Sequence, residues 1–214
     1  LMEIFSHKTR VDFLGARKIA AAVSITLILV SLVSLFPAVR GLNFGIDFTG
    51  GVLLELAYPG SADLPAIREE LGANGFGDAL VQNFGTSRDV LVRVLPREGL
   101  DSQNVADQIM QVLRVAEPAV ELRRTEFVGP QVGEELTEQG GLAMLFAMLG
   151  ITIYIMLRFQ WKFAVGAIAA TLHDPVLILG IFAIFRIPFD LSVLAAILAV
   201  IGYSVNDTIV VFDR

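Results

Sequence analysis

Four apolar runs of similar length dominate this sequence. They occupy residues 19–39, 139–158, 163–185 and 191–212. Each is close to the roughly 20 residues that a helix needs to cross the hydrocarbon core of a bilayer. Only 18% of all residues are charged, whereas about a quarter are charged in a typical soluble domain. The sequence therefore predicts an α-helical membrane bundle with four spans.

The stretch between the first two runs, residues 40–138, has the composition of a water-soluble domain. It carries 16 acidic and 8 basic side chains, a balance that argues against nucleic acid as a partner. The chain has no cysteine and two histidines. These counts exclude disulfides and thiol chemistry and do not favour a histidine-built metal site, so no metal and no cofactor are predicted.

The periodicities of this domain alternate between those of strands and helices. A first strand follows Gly51, and a turn is expected at residues 85–89. The other predicted elements are a helix at 63–74, strands at 79–84 and 90–95, a helix at 101–116 capped by Asp101 or Ser102, and a strand at 120–128. The order β-α-β-β-α-β is that of an inserted α+β, ferredoxin-like domain. That fold does not by itself name a function.

Basic residues next to the runs predict the orientation in the membrane. They cluster before the first run and between the second and third, at Lys8, Arg10, Arg17, Lys18, Arg158 and Lys162. By the positive-inside rule both segments are cytoplasmic, which makes 40–138 extracytoplasmic, either in the periplasm or on the outer face of a bacterial membrane. Residues 1–18 form a basic lead-in, either amphipathic on the inner leaflet or a flexible tail. The first run lacks a small-residue cleavage site and is expected to stay as an anchor.

The fourth run contains an ionisable side chain, Asp207. Its cost in a bilayer is roughly 2.5 to 3.5 kcal/mol on insertion scales, so a partner or a use for its proton is expected. Tyr203 and Ser204 share a helix face with Asp207, and Asn206 and Thr208 flank it. The supporting polar residues are Tyr203, Ser204 and Thr208. Buried polar residues can also serve only to hold helices together, and this role is favoured for Ser204 and Thr208.

The third run carries a second polar pair, His173 and Asp174, followed by Pro175. His173 is expected near the middle of the bilayer. Carboxylate, imidazole and hydroxyl groups inside a membrane are typical of proton relays. The sequence therefore predicts a relay of Asp207, Asn206, His173 and Asp174. A purely structural role for His173 and Asp174 remains open.

Two glycine-rich segments lie near the two ends of the domain 40–138, which is called the outer domain below. Residues 41–51 are expected to form a tight turn that feeds the first strand; a phosphate-binding loop is disfavoured because no helix with Lys and Ser or Thr follows. The segment 127–136 contains Gly-Pro-x-x-Gly and is expected to be a hinge or collar at the membrane.

Four motifs, in chain order, resemble the SecF branch of the SecD/SecF family of protein-export membrane proteins, in the resistance-nodulation-division (RND) superfamily. They are the glycine motif (Gly45, Asp47, Gly50, Gly51), the collar (Gly129, Pro130, Gly133), the pair His173–Asp174, and the final segment from Ser204 through Asp207 to Asp213 and Arg214. The resemblance covers the chain from about residue 11 to its end.

The resemblance implies a specific function. Such a protein pairs with SecD in the bacterial cytoplasmic (inner) membrane and uses protons to help the SecYEG channel complete export of unfolded polypeptides. Asp207 would be its proton-pathway carboxylate. Six spans are expected, and the two beyond these four would supply a basic partner for Asp207, so the chain is expected to be a fragment or half of a fused protein.

Other functions remain as alternatives to protein export. A small-molecule or lipid exporter of the same superfamily would need a large porter domain, and about 95 residues are few for a substrate cleft. A non-transporting membrane scaffold would not depend on Asp207. An enzyme is not predicted, because no nucleophile–base set is evident in the outer domain.

Overall fold

The computed structural model describes residues 15–96 and 102–212. Its helices are α1 Arg17–Leu35, α2 Ile46–Thr49, α3 Leu64–Ala73, α4 Ser102–Ala116, α5 Pro130–Arg158, α6 Trp161–Phe185 and α7 Leu191–Phe212. Its strands are β1 Asn43–Phe44, β2 Gly51–Ala57, β3 Leu80–Phe84, β4 Thr86–Val94, β5 Glu121–Val128 and β6 Pro188–Phe189.

Four of these helices, α1, α5, α6 and α7, are long and apolar enough to cross a membrane. The protein is thus a multi-pass helical membrane protein. Helix α5 begins at Pro130, well before the second apolar run. Proline suits the first helical position, because the N–H that it lacks would have no partner there. The outer part of α5 therefore extends beyond the apolar run towards the outer domain.

The other three long helices all pack against α6. Helix α1 lies along one side of α6, and α7 and α5 lie on the other sides. The buried residues of α5, α6 and α7 form one apolar cluster that includes Ile155, Ala167, Ile197, Ile201 and Val205. Small residues such as Ala167 permit the close approach of helices that membrane bundles use.

The outer domain is a four-stranded antiparallel sheet with two helices on one face. The strand order is β3-β4-β2-β5. Side chains alternate along a strand, so Leu54 and Leu56 of β2 point into the core, where both are fully buried. Ile109 and Leu113 of α4 cover them from the helical layer. Among the described residues of this domain, no helix covers the opposite face of the sheet.

Details of the outer domain match the sequence-based expectations in part. Asp63 caps α3 by accepting a hydrogen bond from the N–H of Ala66 at 3.2 Å. The predicted cap of α4 cannot be compared, since Asp101 and the side chain of Ser102 lie outside the described part of the chain. The turn predicted at residues 85–89 is wrong: only Gly85, at φ +77°, turns the chain, and β4 already begins at Thr86.

The physical reason for that error lies in the solvent exposure of this end of the strand. Residues 86–88 are exposed, so polar side chains are tolerated in a paired strand and resemble a loop in the sequence. Asp89 pairs with Ala57 across the sheet, and the Thr86 hydroxyl donates to the Asp89 carboxylate at 2.6 Å.

The segment 41–51 is more than the tight turn that was expected. It contains β1 and the one-turn helix α2. Strand β1 pairs in parallel with β6, so that Asn43 faces Pro188 and Phe44 faces Phe189. Two-residue strands have no periodicity that a sequence could reveal. This pairing ties the entrance of the outer domain to the loop between α6 and α7.

Candidate functional site

A chain of hydrogen bonds links three membrane helices near the middle of α6. Nδ1 of His173 lies 2.8 Å from Oδ1 of Asp174. The Ser204 hydroxyl of α7 donates to Oδ2 of the same carboxylate at 2.5 Å. On the other side, Nε2 of His173 lies 2.8 Å from the Ser24 hydroxyl of α1. The polar pair of α6 is thus held by one hydroxyl from α1 and one from α7.

This arrangement accommodates the imidazole with either one proton or two. When Nδ1 donates to the Asp174 carboxylate, a neutral His173 accepts from the Ser24 hydroxyl through Nε2. When both ring nitrogens carry protons, the same hydroxyl oxygen accepts instead, because a hydroxyl serves in both roles. The set can therefore gain or lose one proton without losing a hydrogen bond.

The order hydroxyl, imidazole, carboxylate is also that of Ser-His-Asp hydrolases. Acyl transfer by such a set relies on N–H donors aimed at the developing oxyanion. Ser24 lies inside α1, where helix hydrogen bonds engage the backbone N–H groups. The surroundings of Ser24 therefore favour hydrogen bonding to His173 over acyl transfer.

Asp207 lies apart from this chain of hydrogen bonds. Ser204 faces α6, whereas Tyr203, Asn206 and Asp207 lie on the exposed side of α7. Tyr203 is 76% exposed. No hydrogen bond of the described residues joins the Asp207 carboxylate to His173 or Asp174. Thr208 donates to the carbonyl of Ser204 at 2.9 Å, a bond within α7.

The structure thus brings together His173, Asp174 and Ser204 but not Asp207. The sequence favours grouping Ser204 with Asp207, because both lie within one helix turn. It did not identify Ser24 as the partner of His173, because contact between the first and third spans leaves no signature in the sequence. Asp207 instead faces outward, together with Tyr203, on a side of α7 that no described helix covers.

The glycine motif packs against the collar where the outer domain meets the bundle. Oδ2 of Asp47 accepts a hydrogen bond from the N–H of Leu191, the first residue of α7, at 2.9 Å. The N–H of Gly45 donates to the carbonyl of Phe189 at 2.7 Å. The rings of Phe48 and Phe189 are stacked with their centroids 5.6 Å apart. The motif is therefore attached directly to the start of α7.

Close backbone contacts explain why glycine occupies several of these positions. A Cβ at Gly133 would lie 2.7 Å from the backbone nitrogen of Gly50. A Cβ at Gly51 would lie 2.3 Å from the carbonyl oxygen of Val94, at a φ of +119° that favours glycine. Pro130 also packs on Gly50. The two glycine-rich segments, which the sequence presented separately, thus pack on each other.

A cavity of about 240 Å³ lies between the glycine motif and the uncovered face of the sheet. Leu53 and Leu91 of the sheet line one side, and Asp47 and Asp190 line the other. Arg93 bridges the two sides: it donates to the carbonyl of Phe44 and, at 3.0 Å, to Oδ1 of Asn43. Burial, and the nearby charge of Arg186, lower the pKa of the Arg93 guanidinium.

Two predicted motif residues, Asp213 and Arg214, lie outside the described residues. Within the described ranges, no three His, Asp or Glu side chains are grouped so that they could hold a metal ion. Among the described residues, neither the hydrogen-bonded set around His173 nor the cavity beside Asp47 therefore offers a ready set of ligands for a metal.

Two family models match this chain. The model described as "Protein export membrane protein SecD/SecF, C-terminal" matches residues 108–214. The model described as "SecD/SecF GG Motif" matches residues 36–58. Together they cover the collar motif, α5 to α7 and the segment that contains Asp47.

Relatives similar over nearly the whole chain carry one name. The "Protein translocase subunit SecF" of Pseudomonas aeruginosa is 50% identical over 95% of this chain and 65% of its own length. Its namesake from Magnetococcus marinus is 49% identical over 100% of this chain and 69% of its own length. This chain thus spans about two thirds of the length of these relatives.

Solved structures agree with the sequence comparison. The crystal structure of SecDF from Thermus thermophilus, described as a translocon-associated membrane protein, matches 99% of this chain and 28% of its own. The TM-score is 0.84 at 30% identity. A second crystal structure of SecDF, in a "Super-membrane-facing form", matches with a TM-score of 0.60 at 29% identity. On the evidence of its motifs, its helices and these relatives, the chain belongs to the SecD/SecF family of protein-export membrane proteins.

Proposed function

We propose that this chain acts as the SecF part of a protein-export complex driven by protons. In this proposal it associates with SecD in the bacterial cytoplasmic membrane and assists the SecYEG channel. Its transported ion is the proton, and its macromolecular substrate is the unfolded polypeptide being exported. The names of relatives at about 50% identity over nearly the whole chain support this role.

The observation that carries the proposal is a pair of carboxylates inside apolar helices. Asp174 is hydrogen-bonded to the His173 imidazole and to the Ser204 hydroxyl of α7, and the imidazole is in turn bonded to the Ser24 hydroxyl of α1. Asp207 lies on the exposed side of α7. Ionisable residues inside membrane spans are costly, and they commonly mark ion pathways. We assign Asp207 as the main proton-binding carboxylate and His173–Asp174 as a second, internal station.

The exposed position of Asp207 suits a proton path shared with other helices. A carboxylate on this side of α7 faces either lipid or a further helix, and lipid would penalise its charge by several kcal/mol. We propose that membrane helices beyond the four described here cover this side. A basic side chain from one of them would then stabilise the charged form of Asp207.

We assign the outer domain to the ferredoxin-like class and place it outside the cytoplasm. Its sheet order β3-β4-β2-β5, with two crossover helices on one face, supports the class. The pairing of β1 with β6 supports the placement, since it puts the α6–α7 loop at the same end of the bundle as this domain. The opposite end then carries Arg158 and Lys162, as expected for a cytoplasmic loop.

Substitution of Asp207 by Asn tests the proposal. The amide keeps the size and the hydrogen-bonding capacity of the side chain but cannot bind and release a proton. In vesicles that contain the complete export complex, we expect D207N to insert normally and to lose the stimulation of export by a proton gradient. Full stimulation in D207N would refute proton-driven function and would favour a non-transporting scaffold.

A further inference from the structure

We propose that Asp47 is a positioning residue that couples the outer domain to helix α7 and thereby controls the position of Asp207. The inference rests on the proposed function, because Asp47 would act on export only by positioning the proton-binding carboxylate of Asp207. It concerns a hydrogen bond between two segments 144 residues apart in the chain.

The hydrogen bond of Asp47 is not needed to start the helix. The first N–H groups of a helix lack partners inside the helix, and a local cap normally supplies one. In α7 this cap is Asp190, whose Oδ1 accepts from the N–H of Val193 at 2.9 Å and from the Ser192 hydroxyl at 2.7 Å. Asp47 adds a second carboxylate, which accepts from the N–H of Leu191. The distinctive effect of this hydrogen bond is therefore to attach the segment before β2 to the N-terminus of α7.

The position of Asp47 makes this attachment short and stiff. Only three residues separate Asp47 from Gly51, where β2 begins, and β2 is an inner strand of the sheet, between β4 and β5. Gly50 is held against the start of α5 by its contacts with Pro130 and Gly133. A displacement of the sheet therefore reaches the N-terminus of α7 through very few rotatable bonds.

A continuous helix carries that displacement to the carboxylate. Helix α7 runs without interruption from Leu191 past Asp207, and the two residues are about 24 Å apart along its axis at the usual helical rise. A shift or tilt at Leu191 moves Asp207 with it, because the hydrogen bonds of the helix resist bending. Movement of the outer domain against a substrate would thus change the surroundings of the proton-binding group.

The test compares two substitutions of Asp47 in the complete export complex in vesicles. In D47A the acceptor for the Leu191 N–H is lost, and we expect gradient-stimulated export to fall roughly tenfold, the scale of one charge-assisted hydrogen bond. In D47N the amide oxygen still accepts this bond, and we expect most of the stimulation to return. The matched control is D63A, which removes the cap of α3 in the same domain and should leave the stimulation unchanged.

A covalent tether distinguishes attachment from general structural damage. The chain contains no cysteine, so a pair introduced at the facing residues Phe44 and Phe189 can form a single defined disulfide. Neighbouring strands are about 4.8 Å apart, a distance that a disulfide spans. In the D47A background we expect the oxidised tether to restore gradient stimulation and its reduction to remove it again.

Each outcome decides between attachment and its alternatives. Unchanged stimulation in D47A would overturn the inference, as would a loss that neither D47N nor the tether restores. A comparable loss in D63A would also overturn it, since the effect would then follow from weakening the outer domain. The proposed function is judged separately by D207N: a loss there with full stimulation in D47A refutes only the role of Asp47.

Discussion

Substitution of Gly180 by Ala tests the packing that holds the intramembrane site together. A Cβ at this position of α6 would lie 2.1 Å from Oγ, 2.3 Å from Cβ and 2.7 Å from Cα of Ser31 in α1. Favourable contacts between carbon atoms lie at about 3.5 to 4.0 Å. Because Cα belongs to the backbone, a rotamer change of Ser31 cannot relieve the overlap. The two helices must separate by about 1 Å.

The expected cost follows from two contributions. Overpacking of a close contact costs about 1–3 kcal/mol. A separation of this size also lengthens the 2.8 Å contact between Ser24 and His173 beyond hydrogen-bonding distance, at about 0.6 kcal/mol for an average bond inside a membrane. We therefore expect G180A to lower the free energy of unfolding by about 2 to 3 kcal/mol.

Reversible unfolding of the purified chain in mixed detergent micelles measures this change. The matched control is G150A in α5, where no atom lies within 4 Å of the added Cβ, and we expect an effect close to zero. Replacing Ser31 by Gly in the G180A background removes two of the three overlapping atoms and should recover part of the loss. Equal stability of G180A and G150A would show that α1 and α6 do not pack in the described way.

Three further predictions concern the outer domain and the polar pair. Gly51→Ala should destabilise the outer domain by more than 1 kcal/mol, the strain of a residue at positive φ, with Gly60→Ala, which meets no atom within 4 Å, as the control; equal denaturation midpoints would contradict this. Burial, and secondarily two nearby carboxylates, raise the pKa of Tyr58 to about 12, above about 10 in an unfolded chain. The contribution of Tyr58 to stability should therefore be constant below about pH 10 and be lost as the pH rises from about 10 to about 12, a change of at most about 2.7 kcal/mol; absorbance titration showing ionisation of folded Tyr58 near pH 10 would refute the shift. Ser204→Ala should remove the α7 partner of Asp174 and reduce gradient-stimulated export, whereas Ser204→Thr should retain it; equal loss in both would argue against the hydroxyl.

The spans and the order of the outer elements are the parts that a sequence of this kind reveals well. Apolar runs of membrane length and the alternation of Val90, Val92 and Val94 reflect local burial, which leaves a periodic trace in the chain. The same logic explains the misplaced turn before Val90. Exposure at the end of β4 permits polar residues there, and such a polar stretch has the composition of a loop.

Contacts between distant segments leave no such trace. The pairing of β1 with β6, the bond from Asp47 to Leu191 and the bond from Ser24 to His173 each join segments more than 140 residues apart. Their residues are ordinary for a turn, a linker and an apolar helix. Sequence reasoning could therefore name Asp47, His173 and Asp174 as candidates but could not say which groups they contact.

The grouping of Ser204 with Asp207 shows the limit of arguments from a shared helix face. Ser204 and Asp207 are three residues apart, which places them near each other on α7. In the structure Ser204 nevertheless points to Asp174, whereas Asp207 lies on the exposed side. A helix packed on one neighbour separates side chains about 60° apart into buried and exposed groups. The sequence alone does not indicate where that division lies.

Proton movement through vesicles that contain the complete complex is the most direct test of the central claim. The comparison is between the wild-type protein, D207N, and a control, D107N, which removes an exposed carboxylate from α4. During export, we expect the wild-type protein and D107N to carry protons inward along the gradient and D207N to carry none above the background of empty vesicles. Undiminished proton flux in D207N would contradict the assignment of this carboxylate to the proton path.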